Sequence, residues 1–235
     1  MRFLAVRKCG GCGEILDFEH FDNALCDVCG LRWRVAKTES CPSCNQSAVE
    51  CPCMPKGLSR SGALCLRKLF FYSAERRSEP QNRIIYYIKK KRSRRISAFL
   101  AKELSELSKA ELETLEVGED SAVIVNVPRG RRAVACHGFD QSELICRELS
   151  SLTSIPYVSA IQRKKGGKEQ KKLDRSRRFR NVEALFEIVD ATAVSGKYVI
   201  LFDDIVTTGA SMAACCKILR KSGAKGIICL CIAQD

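Results

Sequence analysis

The 235-residue sequence holds two histidines, one tryptophan and only 7% aromatic residues. Each scarcity closes off a class of chemistry. His20 and His137 are too few to invoke imidazole-based chemistry without geometry. Trp33 stands alone, and so few rings argue against an extended platform for stacking bases. No apolar run approaches the roughly 20 residues of a membrane span. The start, Met1 to Lys8, has too short an apolar core for a secretory signal, so the expected location is cytoplasmic. Acidic residues are also in deficit: 27 against 40 Lys and Arg, a net charge of +13. That balance suits an anionic partner such as phosphates, nucleotides or nucleic acid. No internal repeat is visible. A hydrophobic share of 46% and a charged share of 29% describe a globular chain, long enough for one α/β domain and something small.

Cysteine is plentiful. Fifteen cysteines in a cytosolic-looking chain do not read as disulfides. Eight lie in residues 1–57 as four pairs: Cys9/Cys12, Cys26/Cys29, Cys41/Cys44 and Cys51/Cys53. A Cys-x2-Cys turn aims two thiolates at one metal, and two such turns close a tetrahedral S4 shell, the geometry that selects Zn2+. Free thiols or an iron–sulfur cluster are the alternatives. The spacing leaves open whether there are one or two sites and which pairs share a metal. A closed thiolate shell has a structural role. The other seven cysteines are scattered through apolar segments.

Residues 58–81 read as a connector, and residues 82–235 as the main domain. A helical pattern runs from Asn82 to Leu107, with Ile84, Ile85 and Ile88 in one apolar patch and Ile96, Phe99, Leu100, Leu104 and Leu107 in another. Between them lie Lys89 to Arg95, six positive charges and no acid. This is either a solvated helix face or a contact to a phosphate backbone. Ala122 to Val127 reads as a buried strand closed by Pro128. Arg129, Arg131 and Arg132 follow, guanidinium forks suited to pyrophosphate at the end of a parallel strand. A helix after Gln141 completes a strand–helix unit. From Arg163 to Arg180 ten positive and two negative charges surround Gly166-Gly167. That strip is a disordered basic loop or a lid over an anionic ligand.

The stretch Lys197 to Ser211 organises the rest. A buried strand, Tyr198 to Phe202, runs into Asp203 and Asp204. Thr207-Thr208-Gly209-Ala210-Ser211 then turns into a helix closed near Gly223, and a last strand covers Ile227 to Ile232. A turn opening a helix presents backbone N–H groups to a phosphate, and the hydroxyls add donors. The paired carboxylates suit sugar hydroxyls or a hydrated Mg2+. A ribose 5-phosphate satisfies both demands. Alternating strands and helices predict a parallel sheet flanked by helices.

This stretch resembles the 5-phosphoribosyl-1-pyrophosphate (PRPP) signature of type I phosphoribosyltransferases. The resemblance implies that Asp203 and Asp204 hold the ribose hydroxyls, directly or through Mg2+. It also implies that Thr207, Thr208, Gly209, Ala210 and Ser211 wrap the 5′-phosphate. The order of parts is narrower still: paired cysteines, Ile-x3-Lys, Val-x-Val-Pro, Gly-Phe-Asp-Gln, Gln170-x2-Leu173-x4-Arg178-x2-Asn181-x4-Phe186, then Asp-Asp-Ile-Val-Thr-Thr-Gly. Over nearly the whole chain it looks like the ComF family. The resemblance implies an α/β type I phosphoribosyltransferase fold with a small N-terminal zinc-binding region. It further implies support of natural transformation, with single-stranded DNA and competence proteins such as a DNA helicase or translocase as partners. His137 departs from the family, which usually has Arg before Gly-Phe-Asn/Asp-Gln. Two classes of function remain. One is a PRPP-binding module that handles DNA. The other is an active phosphoribosyltransferase of nucleotide salvage, with Arg129 to Arg132 on the pyrophosphate and no base assigned for the acceptor.

Overall fold

The computed structural model describes residues 6–17, 19, 22–164, 182 and 184–235, the side chains of 131 and 133 excepted. His20 and the basic strip from 165 to 180 lie outside the described residues. Four parallel strands form the main sheet among the described residues. In spatial order they are β1 (Cys65–Phe71), β6 (Gly226–Gln234), β5 (Tyr198–Val206) and β2 (Ala122–Asn126). Consecutive residues face opposite sides. Ile200 and Phe202 join one core, while Val199 and Leu201 join the other. Both faces are covered, which is why these strands read as unbroken apolar runs.

On the first face lie α4 (Arg94–Thr114) and α6 (Gln141–Thr153). On the second lie α7 (Ala210–Lys221) and the short α2 (Lys56–Ser59). Beside the sheet, β3 (Ile161–Arg163) and β4 (Phe186–Ile188) make an antiparallel pair. The predicted parallel sheet flanked by helices is therefore present.

Two local readings change. The pattern from Asn82 to Leu107 is two helices, α3 (Pro80–Lys90) and α4, not one. The break falls inside the cationic run. An uninterrupted helix would stack like charges three and four residues apart. Instead Lys91 is extended, and the Ser93 hydroxyl accepts a hydrogen bond from the backbone N–H of Ile96 at 3.4 Å. The second change lies within residues 58–81, where β1 is a sheet strand with Leu66, Leu69 and Phe70 fully buried. Its short apolar pieces alternate with Arg67 and Lys68, which hid the strand.

The cysteine-rich segment packs on the sheet's first face and shares its core. Trp33 of α1 (Asp27–Lys37) meets Phe70 and Phe99 edge-on, at centroid distances of 5.4 and 5.1 Å. Its indole N–H donates to Glu103 at 2.9 Å, and Lys37 pairs with the same carboxylate at 2.8 Å. One buried ring thus ties α1 to β1 and α4. Trp33→Ala is expected to lower unfolding free energy by about 3–5 kcal/mol. A circular-dichroism denaturant midpoint, with its slope unchanged, checks this.

Candidate functional site

The site begins with a difference in strand length. β2 ends at Asn126, opposite Phe202, and Pro128 cannot extend the ladder. β5 continues beside β6, with Asp203 opposite Cys231 and Val206 opposite Gln234. The acidic pair therefore lies within β5, which runs four residues beyond its predicted end at Phe202 and projects past its shorter neighbour. A notch results at the carboxyl edge of the sheet, where α/β folds bind ligands. It opens into a cavity of about 270 Å³ lined by Asp203, Asp204, Ser211, Arg129, Lys89 and Arg163, among others.

Asp204 is buried and well supplied with partners. Gln141 Nε2 donates to its Oδ2 at 2.8 Å, and Lys89 Nζ lies 3.4 Å from the same oxygen. Its Oδ1 accepts the backbone N–H of Ile205 at 2.8 Å. Asp203 Oδ1 accepts the backbone N–H of Asp204 at 2.9 Å. Burial first, and the neighbouring Asp204 charge second, push the Asp203 carboxyl well above the usual carboxylate range. A cation arriving at the pair would offset both effects.

Across the cavity the Arg129 backbone N–H donates to Asp140 Oδ2 at 2.9 Å, and its Nη2 donates to the Lys89 carbonyl at 3.1 Å. Its Nη1 is buried with no partner among the described residues, a donor suited to an anion. Asp140 also caps α6 by accepting from Ser142 at 2.9 Å. The Gly-Phe-Asp-Gln stretch thus holds two elements of the site at once.

Not every expected residue lines the cavity. Asp203, Asp204, Ser211 and Arg129 do. Thr207 and Thr208 are exposed on the turn, and the Thr208 hydroxyl accepts the Ala210 N–H at 3.4 Å. Gly209 caps α7 with φ of +70°, a left-handed conformation that glycine adopts without strain. Arg132 is exposed at the start of α5 (Arg131–His137), and the Arg131 side chain lies outside the described atoms. His137 ends α5 and is absent from the cavity wall. Sequence reasoning gave no role to Gln141, Ser142 and Phe186, and placed Lys89 and Arg163 only within basic runs, yet all five line the cavity. Lys89, Gln141 and Phe186 lay in quoted motifs, so their signal was present but not turned into contacts.

The eight N-terminal cysteines gather into two groups, Cys9/Cys12/Cys26/Cys29 and Cys41/Cys44/Cys51/Cys53, each with sulfurs within 4.8 Å of one another. Each group could hold one metal ion. Sulfur separations of 3.8 Å (Cys12–Cys26) and 3.7 Å (Cys44–Cys51) approach the edge of a tetrahedron with metal–sulfur bonds of about 2.3 Å. Backbone N–H groups point at the sulfurs. Burial opposes ionisation of Cys9, but N–H groups of Cys26, Cys12 and Gly11 outweigh it and bring the thiol down to about 7. The Ser43 N–H, first among several, brings Cys41 down to about 6. Such donors orient and stabilise thiolate ligands.

Residues 141–235 match the phosphoribosyl transferase domain family. That stretch is similar to phosphoribosyltransferase domains and includes the acidic pair, the glycine turn and α7. Over a longer span the chain is 28% identical to DNA utilization protein YhgH of Escherichia coli K12, across 221 residues covering 88% of this chain and 89% of that protein. It is 29% identical to DNA utilization protein YhgH of Salmonella typhimurium LT2, across 232 residues covering 95% and 96%. These relatives bear out the ComF resemblance over most of the chain. A solved glutamine PRPP amidotransferase from B. subtilis aligns with 20% identity and a TM-score of 0.40, over 57% of this chain and 25% of that one. That likeness is too slight to add to the domain assignment. No helix among the described residues is long and apolar enough to cross a membrane.

The raised Asp203 has a consequence for stability. Its folded state holds a proton more tightly than the unfolded chain, so stability declines as pH rises through the unfolded value, near 3.8. Asp203→Asn is expected to raise the thermal midpoint at pH 7. The gain should vanish as pH falls below about 4, the ordinary range for aspartate. Calorimetric scans across that range check both the sign and the window.

Proposed function

We propose that the chain is a ComF-like protein that binds PRPP with Mg2+ and handles single-stranded DNA. The observation that carries the ligand reading is the projection of Asp203 and Asp204 past the end of β2, opposite the unpartnered Nη1 of Arg129. Carboxylates on one wall suit ribose hydroxyls and a hard divalent cation. Guanidinium and ammonium groups on the other wall, from Arg129, Lys89 and Arg163, suit pyrophosphate. Thr207 to Ser211 take the 5′-phosphate at the start of α7, with Arg131 and Arg132 as candidates for the pyrophosphate side. Asp203 and Asp204 would hold Mg2+, whose charge would offset the cost of ionising the pair. With PRPP and Mg2+, calorimetry is expected to show one site per chain. Asp203→Asn combined with Asp204→Asn should abolish the heat while metal content and fold persist; undiminished binding overturns the assignment.

Zinc is the metal proposed for both thiol groups, since four thiolates in a closed tetrahedron suit it and leave no open position. Purified protein is expected to carry two Zn2+ per chain by elemental analysis, and Cys12→Ser and Cys44→Ser to lose one each. Iron, or no metal, overturns the zinc reading.

The DNA reading draws on the names of the relatives and on a groove between the first thiol group and α3. Arg83, Lys90 and Lys91 line it, with Tyr86 and Tyr87. Lys91 lies over the Tyr87 ring at 5.9 Å. Two rings among three cations can hold a base or two and the phosphates between them. Binding would be mainly electrostatic, through backbone charge rather than sequence. Oligonucleotide affinity is expected to fall steeply with salt, and Lys90→Ala with Lys91→Ala to flatten the slope of log K against log salt by about 2. A salvage transferase is the competing reading. Pyrophosphate release from PRPP with a free base would favour it, and PRPP binding without release would exclude it.

A further inference from the structure

The two thiol groups are not equivalent in what they touch. The first is seated on the helices of the sheet's first face. A side chain at Gly10 would strike Ile96 at 2.8 Å, and one at Gly11 would strike Pro80 at 2.8 Å. The second group sits at the other end of the machinery. Three observations link it to the turn that opens α7.

Chain continuity is the first. Two residues after Cys53, Pro55 caps the short helix α2, and α2 packs on α7. A Cβ at Gly209 would lie 3.3 Å from Pro55 Cβ and Cγ and 3.4 Å from Leu58 Cβ. Leu58 is fully buried. The glycine of the proposed phosphate turn therefore rests directly on the segment that leaves the second thiol group.

A buried lysine is the second. Lys68 of β1 has no solvent exposure, and its Nζ donates to the carbonyls of Cys51 and Cys53, each at 3.0 Å. Its neighbour Arg67 donates to the Glu50 carbonyl at 3.3 Å and pairs with Glu111 at 2.6 Å. Two basic side chains of one strand thus hold the backbone that carries the last two thiols. A buried lysine costs stability unless its donors are satisfied, so it fixes that backbone where it lies.

Register is the third. Lys68 stands opposite Cys231, and Cys231 stands opposite Asp203. Lysine, cysteine and aspartate occupy one row across three strands. Residues in one row of a parallel sheet face the same side.

We propose that the second thiol group, through Pro55 and Lys68, is the support that positions the phosphate turn, so that metal held there and ligand held at Gly209 are thermodynamically coupled. This rests on the PRPP reading of the acidic-pair site. Pro55, Leu58 and Lys68 are positioning residues, since none lines the cavity. Metal in the second group fixes Cys51 and Cys53, and with them Pro55. Without the metal the turn loses its floor on one side. Metal in the first group reaches the cavity only through α3, whose Lys89 pairs with Asp204, and not through the phosphate turn. Coupling of this kind is reciprocal: ligand must slow metal loss from the second group by the factor by which metal tightens ligand.

The test uses the full chain and four single variants. Cys44→Ser removes a ligand from the second group, and Cys12→Ser removes one from the first. Pro55→Ala shortens the contact on Gly209 while leaving every thiol in place. Lys68→Met removes the ammonium but keeps most of the volume. Metal content, Mg2+–PRPP affinity and hydrogen exchange over residues 207–211 are measured for each. Cys44→Ser is expected to lose one metal, weaken PRPP by about tenfold and speed exchange at the turn, within the usual span of allosteric coupling. Cys12→Ser should lose one metal and leave PRPP affinity within about twofold, below any coupling of that size. Pro55→Ala should keep both metals and still speed exchange. Lys68→Met should release one metal faster to a chelator, and PRPP should no longer slow that release.

Wild-type affinity and exchange in Cys44→Ser after metal loss would overturn the proposal, as would equal weakening in both cysteine variants. If Cys44→Ser does not fold, Pro55→Ala decides: unchanged exchange at 207–211 sinks the coupling. If wild-type protein binds no PRPP, the ligand reading falls by itself, and the exchange measurements still decide whether the second group supports the turn.

Discussion

Two adjacent carboxylates at the end of a sheet strand, one half-buried and one buried, constrain everything around them. Alternation along β5 gives Asp203 and Asp204 different partners within the protein, although both reach the one cavity. Asp204 is satisfied from the first face by Gln141 and Lys89, which brings α6 and α3 to the sheet edge. Asp203 shares its row with Cys231 and Lys68 on the other face, and its ionisation stays costly. The helices, the short β2 and the unpartnered Arg129 Nη1 can all be understood as arrangements around this unfavourable pair. A site that keeps its acids expensive to ionise is prepared for a cation that removes the expense.

The N-terminal segment meets a different constraint. Some fifty residues rich in cysteine and turn residues cannot enclose a core alone. Its solution is double. Each half gathers four thiols, and each half leans on the larger domain, through Trp33 on one side and through Lys68 and α2 on the other. The segment is therefore continuous with the first core and not a bead on a tether.

Much of this was legible from residue order, because the decisive signals were local. The strand–acid–glycine–helix run contains its own geometry, and four cysteine pairs announce ligand turns. The grouping of those pairs was not legible: spacing permits either arrangement, and only the fold brings Cys26 to Cys12 and Cys51 to Cys44. The break at Lys91 was hidden because apolar periodicity continues across it in phase, while the cationic run and Ser93 favour interruption. β1 was hidden by Arg67 and Lys68, two charges that a strand buried on both faces would not be expected to carry. They are tolerated there because backbone carbonyls of the cysteine segment receive them. The contact of Lys89 and Gln141 with Asp204 joins residues distant in sequence, and no local pattern encodes such a meeting.

Trp33 gives this protein an internal gauge. As the one indole in the chain, it is the dominant source of emission excited at long ultraviolet wavelengths. It is buried between Phe70 and Phe99, with its N–H on Glu103, at the seam between the cysteine segment and the domain. Opening that seam would place the ring in water and redden its light, whereas events in the carboxylate cavity would leave its surroundings alone. Seating of the segment can thus be followed optically in the native chain, without any attached dye.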